Sequence, residues 1–280
     1  MFSSFMINTW IVATMVAVVA GVVGLFVVMR GSSFAAHALP LGSLPGAAGA
    51  NLLGINELFG LILFAGLGVI GISRLARRAR HDAATALCLV FLLGLGALFL
   101  GMSSEYSQGV YALLFGEVLG ISTSQIAPVA GMSVISIAAI ALMFRPLLLS
   151  SVSPELAAAR GISSAGMDLA FLTVLAFATS IALPVVGALL VFSLIVGPAA
   201  AARSLAARPL GALFLSAGIA LITVWAAISL SYVSNWPVGF FVGAIGAVSY
   251  AIGRLASRFL QADRAQAAQV PSISTTALPG

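Results

Sequence analysis

An all-α, polytopic membrane bundle is the fold class this sequence predicts, and three observations predict it. Hydrophobic residues make up 61% of the 280 positions and charged ones only 7%. Apolar runs of about 20 residues recur along the chain, the length that crosses roughly 30 Å of hydrocarbon at about 1.5 Å per residue. The basic residues, all twelve of them arginine, cluster at the ends of those runs. Spans therefore consume most of the chain, and residues 1–265 are expected to form one transmembrane domain.

The elements follow in order. The first run, Ile7 to Met29, lacks a basic leader and is long enough to cross, so it is expected to be a span rather than a cleavable signal. Approximate spans are 8–29, 34–55, 58–73, 84–102, 125–145, 167–184, 186–202, 210–230 and 238–254. That makes nine crossings, with eight as the alternative. The second span is rich in Gly and Pro, and around Pro184 one long bent helix plus a half-helix would serve as well as two crossings.

Charge sets the orientation. Arg30, then Arg74, Arg77, Arg78 and Arg80, then Arg145, Arg160, Arg203, Arg208, Arg254, Arg258 and Arg264 are all placed inside by the positive-inside bias. The N-terminus is then outside and the C-terminus inside, in a cell membrane of the bacterial cytoplasmic type. The outward loops, Asn56-Glu57, Ser103 to Gln108 with Glu105, and Ser231 to Pro237, are short and free of arginine. Val110 to Gly120 is apolar but short, which predicts a re-entrant or interfacial segment. The tail, 266–280, turns to Ala, Gln, Ser and Thr and is expected to be disordered.

Composition excludes several functions. Without a lysine there is no Walker A phosphate loop, so the chain binds no ATP by that route and no other cofactor is expected. The single cysteine, Cys88, has no partner for a disulfide and reads as a small buried hydrophobe. A net charge of +5 spread over several loops reflects topology and not a nucleic-acid surface. Two histidines in the whole chain argue against a membrane-embedded enzyme. A secondary transporter would need ion-coupling charges near mid-membrane and an inverted repeat, and neither is visible. Gly42-xxx-Gly46, Gly116-xxx-Gly120 and Gly239-xxx-Gly243 have the spacing that lets helix backbones approach, predicting a tight bundle and a homodimer.

One inner segment is unexpectedly well specified. In Ser153-Pro154-Glu155-Leu156-Ala157-Ala158-Ala159-Arg160-Gly161, Ser153 suits an N-cap and Pro154 the first helical position. Glu155 opposes the positive end of the dipole, and Gly161 is a helix stop. The spacing predicts a short capped helix over 153–161. Its small alanine faces suggest a docking element for a cytoplasmic protein, with a plain interfacial connector as the alternative.

With these residues in view, the chain resembles the permease subunits of the metal-ion ABC importers, the manganese/zinc/iron class. The resemblance covers nearly the whole length to about residue 254 and rests on segments in order. These are Phe26 to Phe34, Ser43 to Gly49, the stretch from Asp82, Tyr111 to Gly120, Ser153 to Ile162, Val185 to Arg203 and Ser229 to Gly239. It implies a homodimeric permease in the lipid bilayer with no catalytic residues. A cytoplasmic ABC ATPase, carrying the ATP, would dock on the 153–161 helix through Ser153, Pro154, Glu155, Leu156, Ala157, Ala158, Arg160 and Gly161. An extracellular substrate-binding protein would deliver cargo. Siderophore- or vitamin-type ABC permeases share this docking logic and are the nearer alternative.

The family's second span carries an Asp followed four residues later by a His, which places both on one helical face for a divalent cation. Here those positions hold His37 and Leu41. His37 is then a remaining metal ligand in the pathway, a gating or packing residue bonded to backbone freed by Pro40, or a residue at the inner headgroups. The cargo is accordingly a metal ion or a metal chelate. Other pathway candidates are Glu117, which can also stabilise a bend, and Pro198, whose missing N–H frees a carbonyl. Asn235 is the third, with a turn before Pro237 as its other role. Glu57 and Glu105 face outward; His81 and Asp82 are explained by local charge pairing or capping at the start of the fourth span.

Overall fold

A computed structural model describes residues 4–76, 81–102, 114 and 121–268. Among them are nine long helices, one short one and no strand. In order these are α1 (Ser4–Met29), α2 (Ser33–Leu52), α3 (Glu57–Leu75), α4 (His81–Met102), α5 (Thr123–Val152), α6 (Pro154–Ala159), α7 (Ser164–Val186), α8 (Ala188–Leu205), α9 (Pro209–Ser234) and α10 (Val238–Ala268). The helix count is consistent with the eight or nine spans expected. Seven of the helices are long and apolar enough to cross a membrane, and α8 contributes a shorter apolar stretch, Leu190–Leu205. The remaining long helix, α2, stays continuous through Pro40 and Pro45 despite its lower hydropathy.

Two sets of polar contacts fix the ends of the bundle. Asn8 of α1 donates to the Thr123 hydroxyl at the start of α5, 3.1 Å away. At the opposite end Arg30, just past α1, reaches Ser150 of α5 and Asp168 of α7. Alternating helix directions then bring Arg74, Arg145, Arg160, Arg203, Arg208 and Arg254 to the Arg30 end, as the positive-inside bias requires.

Helices α1 and α8 form the centre. Val12, Val16, Val23 and Phe26 of α1 and Val191, Leu194 and Ile195 of α8 are buried. Around them α3, α4, α5, α9 and α10 present Phe59, Phe91, Leu142, Phe214 and Ile252 outward, as suits lipid-facing surfaces. Glycine allows the central contact: a Cβ on Gly24 would lie 2.0 Å from the Ile195 carbonyl oxygen. Gly46 of α2 and Gly60 of α3 meet as closely: a Cβ on either would lie 1.9 Å from the other's carbonyl oxygen. Of the expected glycine pairs, Gly42 lies against Leu92 and Gly239 against Leu190, whereas Gly243 faces open space. Gly116 and Gly120 lie outside the described residues.

Several boundaries differ from the sequence reading. Helix α5 continues through Pro146 to Val152, because a proline removes only its own donor to the carbonyl four residues back. Arg145 therefore lies within the helix. Around Pro184 there are two helices, separated by Gly187 alone, whose φ of 86° and ψ of 150° are open essentially to glycine. Helix α10 extends past Arg254 to Ala268, entering the tail expected from residue 266. Most of the 110–120 segment lies outside the described residues.

Candidate functional site

The inner-face helix α6 is built locally. Pro154 occupies its first turn, and the Ser153 carbonyl accepts from the Ala157 N–H at 3.0 Å. The Ser153 side chain makes no capping bond, contrary to expectation, because its φ of −144° and ψ of 84° lie away from ordinary N-cap geometry. Gly161 ends the helix at φ 76°. Its N–H donates to the Ala158 carbonyl at 2.9 Å and that of Ile162 to Ala157 at 3.0 Å, the two bonds of a Schellman termination. Ala157 is buried against the bundle, while Pro154, Glu155, Leu156, Ala158 and Arg160 are exposed. One small residue seats the helix, and both charges and a leucine are left facing outward.

A buried arginine anchors both flanks of α6. The Arg30 side chain is 7% exposed and forms a salt bridge with Asp168, which is 47% exposed. It also donates to the hydroxyls of Ser150 at 2.8 Å and Ser151 at 3.2 Å, just ahead of α6. Its guanidinium lies 5.6 Å from the centre of the Phe171 ring, a cation–π contact. One residue after α1 thus ties together the end of α5 and the start of α7. Sequence reading took Arg30 only as a topology marker. The available signal was Asp168, an acid inside an expected span.

The second candidate region is the face of α2 turned toward α8. His37, Leu41, Leu44 and Ala48 are half-buried and recur at helical spacing, between buried neighbours on both sides. His37 sits edge-on to Phe192 of α8, with ring centres 5.2 Å apart. Its Nδ1 is buried and has no hydrogen-bond partner, so the expected bond to backbone freed by Pro40 is not formed. The carbonyl that Pro40 frees is that of Ala36; the Ser43 hydroxyl donates to the carbonyl of Pro40 itself at 2.7 Å. Leu41 and Leu44 pack with Ala47, Leu61, Leu183 and Ala188, making the wall beside His37 apolar up to the α7–α8 junction. His37 lies four residues past the start of α2, about 6 Å along the axis from its inner end.

The described residues of one chain bring no third metal-binding group to His37; they contain no group of three or more His, Cys, Asp or Glu able to hold an ion. Pro198 is buried within α8 and leaves the Leu194 carbonyl without its helical donor. Asn235 ends α9 in the left-handed region, φ 58° and ψ 22°, its N–H donating to the Ser231 carbonyl at 2.9 Å. It is an exposed turn residue. Glu57 begins α3 behind Asn56, whose side chain accepts from the Leu58 N–H at 2.9 Å. Asp82 is exposed in the first turn of α4, and the Cys88 sulfur lies 3.7 Å from the Gly68 carbonyl oxygen. Glu105 and Glu117 lie outside the described residues.

Among the described residues, long helices with arginines gathered at one end and a short helix exposed there make a multi-pass membrane protein. The chain belongs to the ABC 3 transport family, whose profile matches residues 2–257. It is 30% identical over 250 residues to the manganese import system permease protein ScaB of Streptococcus parasanguinis, covering 89% of each chain. It is 27% identical over 254 residues, 90% of each chain, to the manganese transport system membrane protein MntC of Listeria monocytogenes. Among solved structures it resembles a chain of PsaBC from Streptococcus pneumoniae in complex with Fab. The TM-score is 0.83 at 25% identity, over 93% of this chain and 96% of that one. The protein is a cell-membrane permease subunit and not an enzyme.

Proposed function

We propose that the chain forms the translocation pathway of an importer for a divalent metal ion, manganese foremost. Two copies pair, and a separate cytoplasmic ATPase that binds and hydrolyses ATP drives them through α6. A substrate-binding protein presents cargo at the outer face, near the turns that hold Glu57 and Asn235. The observation carrying this reading is the likeness to a manganese import permease along 89% of the chain. The exposure of Glu155, Leu156, Ala158 and Arg160 on α6, with Ala157 alone seating it, supports it as the ATPase's foothold.

In this reading His37 meets cargo near the inner end of the pathway. An imidazole nitrogen left unpaired inside the protein is available to a borderline divalent ion. Two copies would supply two imidazoles and no carboxylate, so cargo is held only briefly or arrives with part of its own coordination sphere. That favours a second reading, import of a metal chelate, because Leu41 and its apolar neighbours offer no further ligand.

Uptake of radiolabelled manganese, zinc and iron, each free and chelated, into vesicles carrying the complete transporter tests both. His37→Ala is expected to lower uptake of free manganese by about tenfold while leaving ATPase binding intact. Unchanged free-metal uptake in that variant removes His37 as a ligand, and uptake restricted to the chelated form selects the second reading.

A further inference from the structure

A groove between α1, α5 and α9 lies apart from the α2 face and meets the α6 region only at Arg160. It encloses about 740 Å³, with Val22, Ile140, Ala141, Leu213 and Phe214 among its walls and Arg145 at one end. At Arg145 and Pro146 it meets a second recess of about 590 Å³, bounded by Val152, Arg160 and Pro209. Helix α9 begins at Pro209, so the walls from Leu210 to Ala217 cover roughly the first 12 Å of that helix from the inner end. The two recesses therefore follow the inner leaflet from headgroup depth into the hydrocarbon.

The chemistry of the two ends differs. The wall residues of the upper part are apolar, and water there would find too few polar partners to stay. At the inner end Arg145 and Arg160 are both exposed, and neither guanidinium makes a hydrogen bond or ion pair among the described residues. Among the described residues, no acidic one lines either recess. Arg30, by contrast, is fully engaged with Asp168 and two serines. Two free guanidiniums under an apolar slot match one ligand class, a phosphodiester carrying acyl chains, since the guanidinium fork binds phosphate with two parallel hydrogen bonds.

We propose that this continuous groove binds one anionic glycerophospholipid of the inner leaflet, an acyl chain lying between α1, α5 and α9 and the phosphate between Arg145 and Arg160. The lipid fills a slot that would otherwise expose α1, the central helix, and it neutralises the junction where α5, the residues after α6 and the start of α9 meet.

Native mass spectrometry of the full-length chain in non-ionic detergent, titrated with dioleoyl-phosphatidylglycerol or dioleoyl-phosphatidylcholine, tests this. The wild type is expected to retain the anionic lipid preferentially, and Arg145→Gln to weaken it about fivefold. Ala141→Phe, which fills the slot from an exposed position, is expected to lower retention with both arginines intact. Arg254→Gln, at the inner end of α10, serves as the control that leaves it unchanged. Equal retention of both lipids by the wild type overturns the proposal, as does full retention by either groove variant. So does an Ala141→Phe variant that alters self-association or ATPase capture but not lipid retention, because the groove would then belong to a protein partner.

Discussion

Gly24→Leu is expected to leave no folded permease. A Cβ at Gly24 would stand 2.0 Å from the Ile195 carbonyl oxygen and 3.3 Å from the Ala199 Cβ, where ordinary contact begins at 3.4 Å. The obstacle is helix backbone, which cannot rotate away as a side chain would. Helices α1 and α8 must separate, and with them the best-buried part of the bundle, including Val23, Phe26, Leu194 and Ile195. Overpacking costs about 1–3 kcal/mol where side chains can adjust, and more where they cannot. Even Gly24→Ala introduces the offending atom. Gly218→Ala in α9, where nothing lies within 4 Å, is the matched control and is expected to behave as wild type. Size-exclusion profiles of detergent extracts separate the outcomes: aggregate for Gly24→Leu, a single species for Gly218→Ala.

The Arg30 anchor carries the second large effect, and its two halves differ. Asp168→Ala leaves a guanidinium that is only 7% exposed without its carboxylate, held by two serine hydroxyls and the Phe171 ring. Leaving a buried charged donor short of partners costs about 1–3 kcal/mol or more. Arg30→Ala instead frees an acid that is 47% exposed and can be rehydrated, so its electrostatic penalty is smaller, although the contact with Phe171 is lost. Thermal unfolding in detergent is expected to show a larger drop for Asp168→Ala than for Arg30→Ala. Both variants release the ends of α5 and α7 that bracket α6, and both are expected to cut ATP-driven uptake at least about tenfold. Asp168→Asn, whose amide oxygen still accepts from Arg30, recovers part of the loss. Equal stability of all three with wild-type uptake would show that the anchor has no part in coupling.

Local chemistry made some of this visible in the sequence, and distance hid the rest. Pro154 and Gly161 announced α6 because a helix start and a helix stop are decided within a few residues. The arginine clusters announced the orientation because the bilayer acts on each loop separately. Arg30 and Asp168 are 138 positions apart, and nothing local links them. The apolar run placed the end of the fifth span at residue 145, yet α5 passes on through Pro146 because one missing donor inside a packed bundle is a small loss. At Pro184 the residue that breaks the chain is Gly187, since only glycine readily accepts the required angles. The glycine contacts were partly legible: spacing marked Gly46 but not its partner Gly60 on the next helix.

The central claim is that cargo movement is driven from the inner face through α6, and the most direct measurement is capture of the ATPase subunit by permease variants altered there. Ala158 is exposed while Ala157 seats the helix, so Ala158→Trp adds bulk to the docking face without disturbing the bundle. The account predicts an Ala158→Trp permease with unchanged thermal unfolding that no longer co-purifies with the ATPase, and a weaker loss for Glu155→Ala. Wild-type capture by both variants would contradict it.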